Sequence, residues 1–475
     1  MSVARELAEF LTETKIDDLP GPALDHAAMI VASTLASAAF GTSIPSAQVM
    51  RGLAREGEGR PEASLWFDPG PKLPITDVAR ANAVTSAAAA SDDSDLRNIV
   101  HSGTPLTAVM LAVAERTGAS GKEILAAIVC GYEASGRIGE AMTPSVGEPG
   151  HGGIGFARGV HACVAAVFAP TVAAGRLPGL NAGQLTHAIA LTATSIGGLR
   201  VAANTSTARE YHDGMAALVA LQAVFAAGRG YLAEESVLEA PLGFFETFGH
   251  HSGPAASAIA TANLGQSWDI LTDMAIKLAP GGHPYHAFGE AAANAVAEGG
   301  IKPDEIENIT LSRPGMEEIS GPRHPRDLID MAHSPSYFAA AGAADADFSW
   351  IHASPSKLED PIINQLIDKV IIGAPPQTEQ ARYRQGATVI VRTNDGRTAT
   401  NTVYEPRGSA ALGISWTDVD AKYRALMPSS GLPPTNIEAS LDVVHKFGEL
   451  DDVVTLMRLL GTGDEPSTAR ARASE

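Results

Sequence analysis

The stretch APGGHPYH, residues 279–286, divides the chain into two kinds of sequence. From residue 4 to about 265, apolar residues recur at three- and four-residue spacing, with Gly or Pro between the segments. This spacing is typical of amphipathic helices. After Trp268 the pattern changes, and runs of strand type follow the Gly/Pro/His turn. The sequence therefore predicts a helical region before the turn and a mixed region after it.

The mixed region predicts a smaller α+β domain. Strand-type runs occupy 309–313, 387–392 and 398–404, and helices are expected to about 298, near 334–344 and near 361–370. The NDGR segment at 394–397 is typical of a hairpin turn, because Asp-Gly supplies the positive φ that such turns require.

Past Pro406 the helical pattern returns, and these helices have no sheet of their own to cover. We therefore expect them to pack on the first helices. The predicted fold is mainly α: a large all-helical domain formed by the N- and C-terminal parts, 1–267 plus 408–462, with a smaller α+β domain inserted at 268–407. The polar tail, 463–475, is expected to be disordered.

The charge balance argues against a nucleic-acid partner. Lys and Arg number 34 and Asp and Glu 54, a formal net charge of −20, and no basic cluster interrupts this balance. Binding to nucleic acid needs a cationic surface that displaces phosphate counterions. If the ligand is an anion, a few local cations must hold it against an unfavourable overall field.

Cysteine content and hydropathy point to a cytoplasmic protein without membrane contact. The two cysteines, Cys130 and Cys163, lie in apolar helical segments without a CxxC spacing, which indicates neither a disulfide nor a zinc-thiolate site. The N-terminal segment has no continuous apolar stretch, and the apolar runs at 185–196 and 216–227 are too short to span a bilayer.

The sequence has no Walker A loop, no GxGxxG after a strand, no HExxH and no GxSxG. It therefore lacks the usual motifs of nucleotide-binding, flavin-binding and zinc-protease sites. What remains is a set of histidines and cations near predicted helix ends. His101 opens HSGTP, where a helix N-terminus offers free N–H groups to an anion and an imidazole can exchange a proton. A histidine that only satisfies a loop carbonyl fits the position equally well.

Three further segments carry candidate residues. His161 begins an apolar helix, where a lone histidine is more often a core residue than a catalyst. The segment NTSTAREYHDG at 204–214 is dense in polar groups at a helix start, which favours ligand binding over a merely capped helix. KLAPGGHPYH at 277–286 lies at the predicted domain boundary, where either a ligand cleft or an ordinary turn is expected. A metal site at His283 and His286 is disfavoured, because no further ligands are near in sequence.

Taken together, the acidic run before His101-Ser-Gly, the Gly159-Val-His161 helix start, the segment 207–214 and KLAPGGH at 277–283 resemble the MmgE/PrpD family. This family includes 2-methylcitrate dehydratase, cis-aconitate decarboxylase and iminodisuccinate epimerase, and the resemblance runs from about residue 5 to 460. It implies a homodimeric, cofactor-independent enzyme that moves a proton at a carbon next to a carboxylate of a small di- or tricarboxylate, without a metal.

The resemblance also implies roles for individual residues. His101 and His161 handle protons, while Asp93 or Asp95 orients His101 or contacts a departing hydroxyl. The expected substrate-binding residues are Arg209, His212, Lys277, His283 and Tyr211.

Two departures from the family pattern affect the expected reaction. The acidic run SDDSD at 91–95 has Ser91 and Asp95 where the family pattern has aspartate and threonine, and Arg209 replaces a lysine. Arginine binds a carboxylate bidentately but does not carry a proton at neutral pH. A lyase is the favoured interpretation. An epimerase of an amino- or imino-dicarboxylate, with His101 and either His161 or Tyr211 on opposite faces of one carbon, and a non-catalytic helical binding protein are the alternatives.

Overall fold

Ala-rich segments form most of the helices, because alanine has the highest helix propensity and lets helices approach closely. The computed structural model describes residues 1–144 and 159–461. Its first helices are α1 (Val3–Glu13), α2 (Gly21–Gly41), α3 (Pro45–Glu56), α4 (Ile75–Ala88), α5 (Gly103–Thr117), α6 (Gly121–Met142), α7 (Cys163–Ala166), α8 (Phe168–Arg176), α9 (Ala182–Ser195), α10 (Arg200–Thr205), α11 (Ala208–Ala227), α12 (Phe244–Phe248), α13 (Gly253–Ala260) and α14 (Asp269–Thr272).

Local sequence signals set the ends of several helices. Ser120 Oγ accepts a hydrogen bond from the Glu123 backbone N–H, and the Glu123 carboxylate accepts one from the Ser120 N–H at 2.8 Å, so α6 begins with a capping box. The apolar helix predicted to begin at His161 is instead broken at Val167 between α7 and α8. Pro170 explains the break, since proline has no N–H for the carbonyl four residues earlier.

Helix α2 is the central helix of the large core and packs against α4, α5, α6 and the C-terminal helices. A Cβ at Gly41 would lie 1.7 Å from the Thr85 carbonyl oxygen, so only glycine permits this approach of α2 to α4. α2 is long and apolar enough to cross a membrane, but 83% of its most apolar stretch is buried inside the protein. Burial of this kind is usual for the core helix of a globular domain.

The α+β part carries a four-stranded sheet in the order β4-β3-β5-β6. The strands of the protein are β1 (Asp93–Asp95), β2 (Met274–Ile276), β3 (Ile306–Ser312), β4 (Val370–Ile372), β5 (Ala387–Thr393) and β6 (Thr398–Val403). β3 is parallel to β4 and antiparallel to β5. The predicted hairpin is confirmed: β5 and β6 pair antiparallel from Ala387–Val403 to Arg392–Thr398, and Gly396 takes a φ of 86° in the turn.

Helices cover this sheet and continue the chain to its C-terminal part. The helices of the smaller domain are α15 (His283–Gly299), α16 (Leu328–Ala332), α17 (Pro335–Asp345), α18 (Pro355–Leu358) and α19 (Pro361–Ile367), and those that follow it are α20 (Trp416–Leu426), α21 (Pro434–His445) and α22 (Val454–Leu460). α15 packs on β5 and β6, and α17 packs on β3, β4 and α19.

Each of the two domains has its own hydrophobic core. The larger core runs from Val3 to Ile276 and resumes from Ala410 to Leu460, whereas the smaller one lies between Ala279 and Val391. α20 packs on α2, which returns the C-terminal part to the first helices. The predicted fold class, a mainly helical protein with an inserted α+β unit, is confirmed. The tail 463–475, predicted to be disordered, lies outside the described residues.

Candidate active site

A short antiparallel pair of strands brings the acidic run to Lys277. Strand β1 pairs with β2 in the register Asp93–Ile276 and Asp95–Met274, and the Lys277 N–H donates to the Asp92 carbonyl at 3.3 Å. Neither strand was predicted, because three residues are too few to show a period in sequence. The connection at 91–101 is mostly buried.

Asp92, Lys277 and His101 form a buried charged group. Lys277 Nζ donates to Asp92 Oδ1 at 2.6 Å, and the other carboxylate oxygen, Oδ2, lies 3.6 Å from His101 Nδ1. Both Asp92 and Lys277 are 1% exposed. Burying such a pair is costly unless its members stay together, so the two side chains hold each other in place.

The tautomer of His101 follows from its hydrogen bonds. Nδ1 lies 2.7 Å from the Asp93 carbonyl oxygen, which can only accept, so Nδ1 carries the proton. Ser94 Oγ lies 3.1 Å from the same nitrogen. This arrangement leaves Nε2 as the nitrogen that can take a proton from a substrate.

Burial and neighbouring charge set the ionisation of this group. Burial raises the pKa of Asp92, but the charges of Lys277, His101 and Arg209 together outweigh it, so the pKa lies well below the usual range. Burial lowers the pKa of His101 to about 4, with Asp92 only partly opposing the shift. At neutral pH the site thus holds an ionised Asp92 and a neutral His101.

His101, Lys277 and Arg209 border a cavity with about 650 Å³ of empty space, a volume that includes its open mouth. The predicted site residues that line it are His101, His161, Arg209, Lys277 and His283. The smaller domain contributes residues from 281–285 together with Ala332 and His333. The cavity therefore lies between the two domains, where ligand sites are common.

Two arginines add positive charge to this cavity. Arg209 lies in the first turn of α11, is 8% exposed and donates to the Ala87 carbonyl. Arg200 begins α10 and also lines the cavity, as does the amide of Asn204. With Lys277 they supply the local cations that a carboxylate ligand needs in a protein of net charge −20. Arg200 and Asn204 were not singled out as individual site residues in the sequence analysis.

His283 is fully buried in the cavity wall, and neither ring nitrogen has a hydrogen-bond partner among the described residues. Burial lowers the pKa of this histidine well below its usual range, so the ring is neutral. A buried imidazole without a partner is expected to bond to a ligand or to water. Its ring lies 4.7 Å from that of His286, but the described residues bring no third ligand that would make this pair a metal site.

Four predicted site residues do not line the cavity. Asp93 points to the opposite side, where its Oδ1 accepts from the Gly103 N–H at 2.9 Å, and the Asp95 carboxylate accepts from the N–H groups of Arg97 and Asn98. Tyr211 is 48% exposed. His212 stands behind His161, with ring centroids 5.1 Å apart.

Asp92 was also not predicted from the sequence, although its neighbours Asp93 and Asp95 were. Side chains alternate between the two faces of a strand, so Asp92 and Ser94 face His101 whereas Asp93 and Asp95 face away. This alternation was the available signal, but it has no meaning until the run is known to be extended. Lys422, also missed, donates to Ser33 Oγ at 2.7 Å and to the Ser91 carbonyl, and so supports the run from α20.

The sequence matches the MmgE/PrpD N-terminal domain over residues 5–257 and the MmgE/PrpD C-terminal domain over residues 280–442. The chain belongs to the MmgE/PrpD family. Among curated proteins, it is 24% identical to cis-aconitate decarboxylase of Homo sapiens, over 98% of this chain and 96% of that protein. It is also 24% identical to cis-aconitate decarboxylase of Mus musculus, over 97% of this chain and 93% of that one.

A third relative is cis-aconitate decarboxylase of Aspergillus terreus, 24% identical over 96% of both chains. The cavity lies where the two MmgE/PrpD domains meet: His101, His161 and Arg209 fall in the N-terminal match, and His333 falls in the C-terminal match. Lys277 falls in the short connection between the two matched ranges. The relationship supports an enzyme of the dehydratase or decarboxylase type and does not single out a substrate.

Proposed function

We propose that this MmgE/PrpD protein is a cofactor-independent lyase that acts on a small di- or tricarboxylate by proton transfer at a carbon next to a carboxylate. The observation that carries the proposal is the neutral His101 beside the buried Asp92–Lys277 pair, in the wall of a cavity that also holds Arg209. cis-Aconitate is the first substrate to test, because the three relatives named above are cis-aconitate decarboxylases.

The cations account for substrate binding and for stabilisation of the reacting state. A carbon next to a carboxylate is a very weak acid, and removal of its proton places a second negative charge on the same group. Arg209 and Lys277 are fixed cations at the cavity wall, so they stabilise that charge without reorganising. Arg200 supplies a third cation, which matches the additional carboxylate of a dianionic or trianionic substrate.

His101 and His161, two of the histidines that line the cavity, account for proton transfer. In a dehydration, Nε2 of His101 takes the proton from carbon, the electron pair forms the double bond, and the hydroxyl leaves as water with a proton from a second group. In a decarboxylation, carbon dioxide leaves its electron pair on carbon, and a protonated histidine returns a proton there. Bound carboxylates raise the pKa of both histidines towards neutrality, since an opposite charge favours the protonated form.

One observation favours a second candidate, the epimerase. His101 and His161 line the same cavity, and burial lowers the pKa of both, so each is a neutral base at neutral pH. Epimerisation needs one group to remove a proton and another to return it on the opposite face of the carbon. Arg209 suits this reaction as well as the lyase, because it binds a carboxylate without exchanging a proton.

Proton NMR in D₂O separates these functions. Purified protein is incubated with citrate, 2-methylcitrate, cis-aconitate or iminodisuccinate, with the His101→Asn variant as the matched control. New product signals that arise from loss of water or carbon dioxide, only with the parent protein, support the lyase. Exchange of a carbon-bound proton for deuterium with inversion and no new compound supports the epimerase. Unchanged spectra across a broad carboxylate panel contradict both and leave a non-catalytic binding protein.

A further inference from the structure

Three potential metal ligands meet behind the cavity wall. His161 precedes α7, Cys163 is the first residue of α7, and His212 lies in the first turns of α11. One ligand atom from each, an imidazole nitrogen or the thiol sulfur, lies within 4.8 Å of the other two. Gly198 packs against all three, since a Cβ there would lie 2.5 Å from Cys163 Sγ, 3.5 Å from His161 Cβ and 3.5 Å from His212 Cε1.

The donor atoms of this group are not occupied by strong hydrogen bonds. His212 Nδ1 is buried and has no partner among the described residues. Cys163 Sγ makes one long contact, 3.9 Å to the Gly197 carbonyl, and His161 Nδ1 lies 3.4 Å from the Cys163 N–H. Buried polar atoms are normally satisfied, so an unpartnered imidazole nitrogen beside a thiol indicates that a ligand belongs there.

Both histidines are in the form that binds metals. Burial lowers the pKa of His161 well below its usual range. Burial also lowers the pKa of His212. Neutral imidazoles offer a free lone pair, which is the form in which histidine ligates a metal.

We propose that His161, Cys163 and His212 form a binding site for a borderline-soft divalent cation such as Zn²⁺. Two imidazole nitrogens and one thiolate are a ligand set that zinc takes in tetrahedral geometry with a fourth, open position. Zn–N distances of about 2.0–2.1 Å and Zn–S distances of about 2.3 Å require the donor atoms to approach one another more closely than 4.8 Å. Rotation of His212, which is only partly buried, supplies that movement.

Binding of the cation releases one proton from the protein. The cation replaces the thiol proton of Cys163, the thiolate and two neutral nitrogens become ligands, and no electron is transferred. Burial, with the nearby Asp213 carboxylate, raises the pKa of the Cys163 thiol, so the proton is present before binding. Because His161 lines the cavity, a cation bound by its ring would lie next to the substrate space.

This site has a consequence for catalysis that rests on the proposed function. A His161 nitrogen that ligates zinc cannot exchange a proton with substrate, so the cation inhibits the reaction and a chelator restores it. The cation is thus a regulatory or inhibitory ligand of the site, distinct from any group that the reaction uses.

The binding arm of the test uses Co²⁺ as a spectroscopic substitute for Zn²⁺ and needs no activity. Titration of the full-length protein is expected to produce a near-ultraviolet thiolate-to-cobalt band that saturates at one equivalent and is bleached by Zn²⁺. Cys163→Ser is expected to abolish the band, whereas Cys130→Ser, which removes the other cysteine of the chain, retains it. His212→Gln, at a partly exposed position, is expected to weaken binding at least tenfold.

The activity arm follows turnover of the substrate identified by NMR with added Zn²⁺. Parent protein and Cys130→Ser are expected to lose activity and regain it with chelator, while Cys163→Ser keeps its activity and needs at least tenfold more zinc for inhibition. A missing cobalt band, or one unchanged in both Cys163→Ser and His212→Gln, overturns the site. A band without turnover of any carboxylate contradicts the proposed function and leaves the metal site standing.

Discussion

Lys277 Nζ lies 2.6 Å from Asp92 Oδ1 in a part of the protein where neither residue is more than 1% exposed. The pair is made by two segments that are distant in sequence and adjacent in space through β1 and β2. The ion pair connects the acidic run, whose backbone orients His101, with the segment at the domain boundary that carries Lys277. The ion pair therefore serves both the stability of the acidic run and the charge of the cavity.

Removal of either member of this pair is expected to be strongly destabilising. Asp92→Asn leaves Lys277 without its anion, and Lys277→Met leaves a buried carboxylate, each at a cost of about 3–5 kcal/mol. The double variant is expected to cost less than the sum, because neither charge is then left alone. Urea unfolding of the four proteins measures this coupling, and additive losses would show that the pair is not energetically linked.

Asp93 is expected to make stability depend on pH in the opposite sense to its neighbour. Burial, with the Asp92 charge, raises the pKa of Asp93 to about 7. The stability that it contributes is complete below its ordinary pKa of about 3.9 and is lost as pH rises towards about 7. Asp93→Asn keeps an acceptor for the Gly103 N–H and removes this dependence on pH. The free energy of unfolding of the variant, relative to that of the parent, is therefore expected to increase by at most about 4 kcal/mol as pH rises.

Thermal unfolding of Asp93→Asn and of the parent between about pH 5 and pH 8 checks this window. The adjacent Asp92→Asn is the control, because the pKa of Asp92 is lowered and its stabilisation is present above the ordinary pKa. A melting-temperature difference for Asp93→Asn that stays constant across the range contradicts the assignment.

His101 is expected to act as a base well below the pH at which an ordinary histidine is protonated. Burial lowers its pKa to about 4, so the unprotonated form persists as pH falls through about 6.5. We expect the group on which kcat/KM depends to titrate near that lowered value, measured with a substrate whose own ionisation is corrected for. His101→Asn is expected to reduce kcat/KM by about 100- to 10,000-fold. His324→Asn, at an exposed position in the smaller domain, is the control and should leave turnover unchanged.

Arg209 is expected to contribute mainly to carboxylate binding. Arg209→Met should lower kcat/KM by about tenfold or more through the lost charged hydrogen bonds, and Arg209→Lys should recover part of the loss in KM. Steady-state kinetics with the preferred carboxylate measures the split between KM and kcat. Arg229→Met, at an exposed position two residues past the end of α11, is the matched control. Equal kinetics for Arg209→Met and the control would remove Arg209 from the site.

Much of the fold was predictable because it depends on contacts close in sequence. The capping box at Ser120 and Glu123, the hairpin at 394–397 and the return of helix after Pro406 are each signalled within a few residues, and each appears in the structure. The break at Val167 also has a local signal, Pro170, which the prediction from sequence did not use. Helix periodicity carried the rest, because most helices are long enough to show it.

The candidate site was predictable only in part, because its geometry depends on which distant segments meet. Sequence pointed to His101, Arg209 and Lys277, which line one cavity. It chose Asp93 and Asp95 over Asp92, since the face to which each side chain points is defined only once β1 pairs with β2. It singled out His161 and His212 but not Cys163, because the approach of Cys163 to His212 depends on the packing of α7 against α11.

The sequence by itself therefore determined the mainly helical class, the inserted α+β unit and the residue types available for carboxylate chemistry. Periodicity, capping and turn signals are local, so they do not depend on how the rest of the chain packs. Only the tertiary structure decided that Asp92 pairs with Lys277, that Lys422 supports the same run from α20, and that the Cys163 thiol lies within 4.8 Å of a nitrogen of His212. Ion pairing and ligation depend on distances of a few ångströms, and packing of remote segments sets those distances.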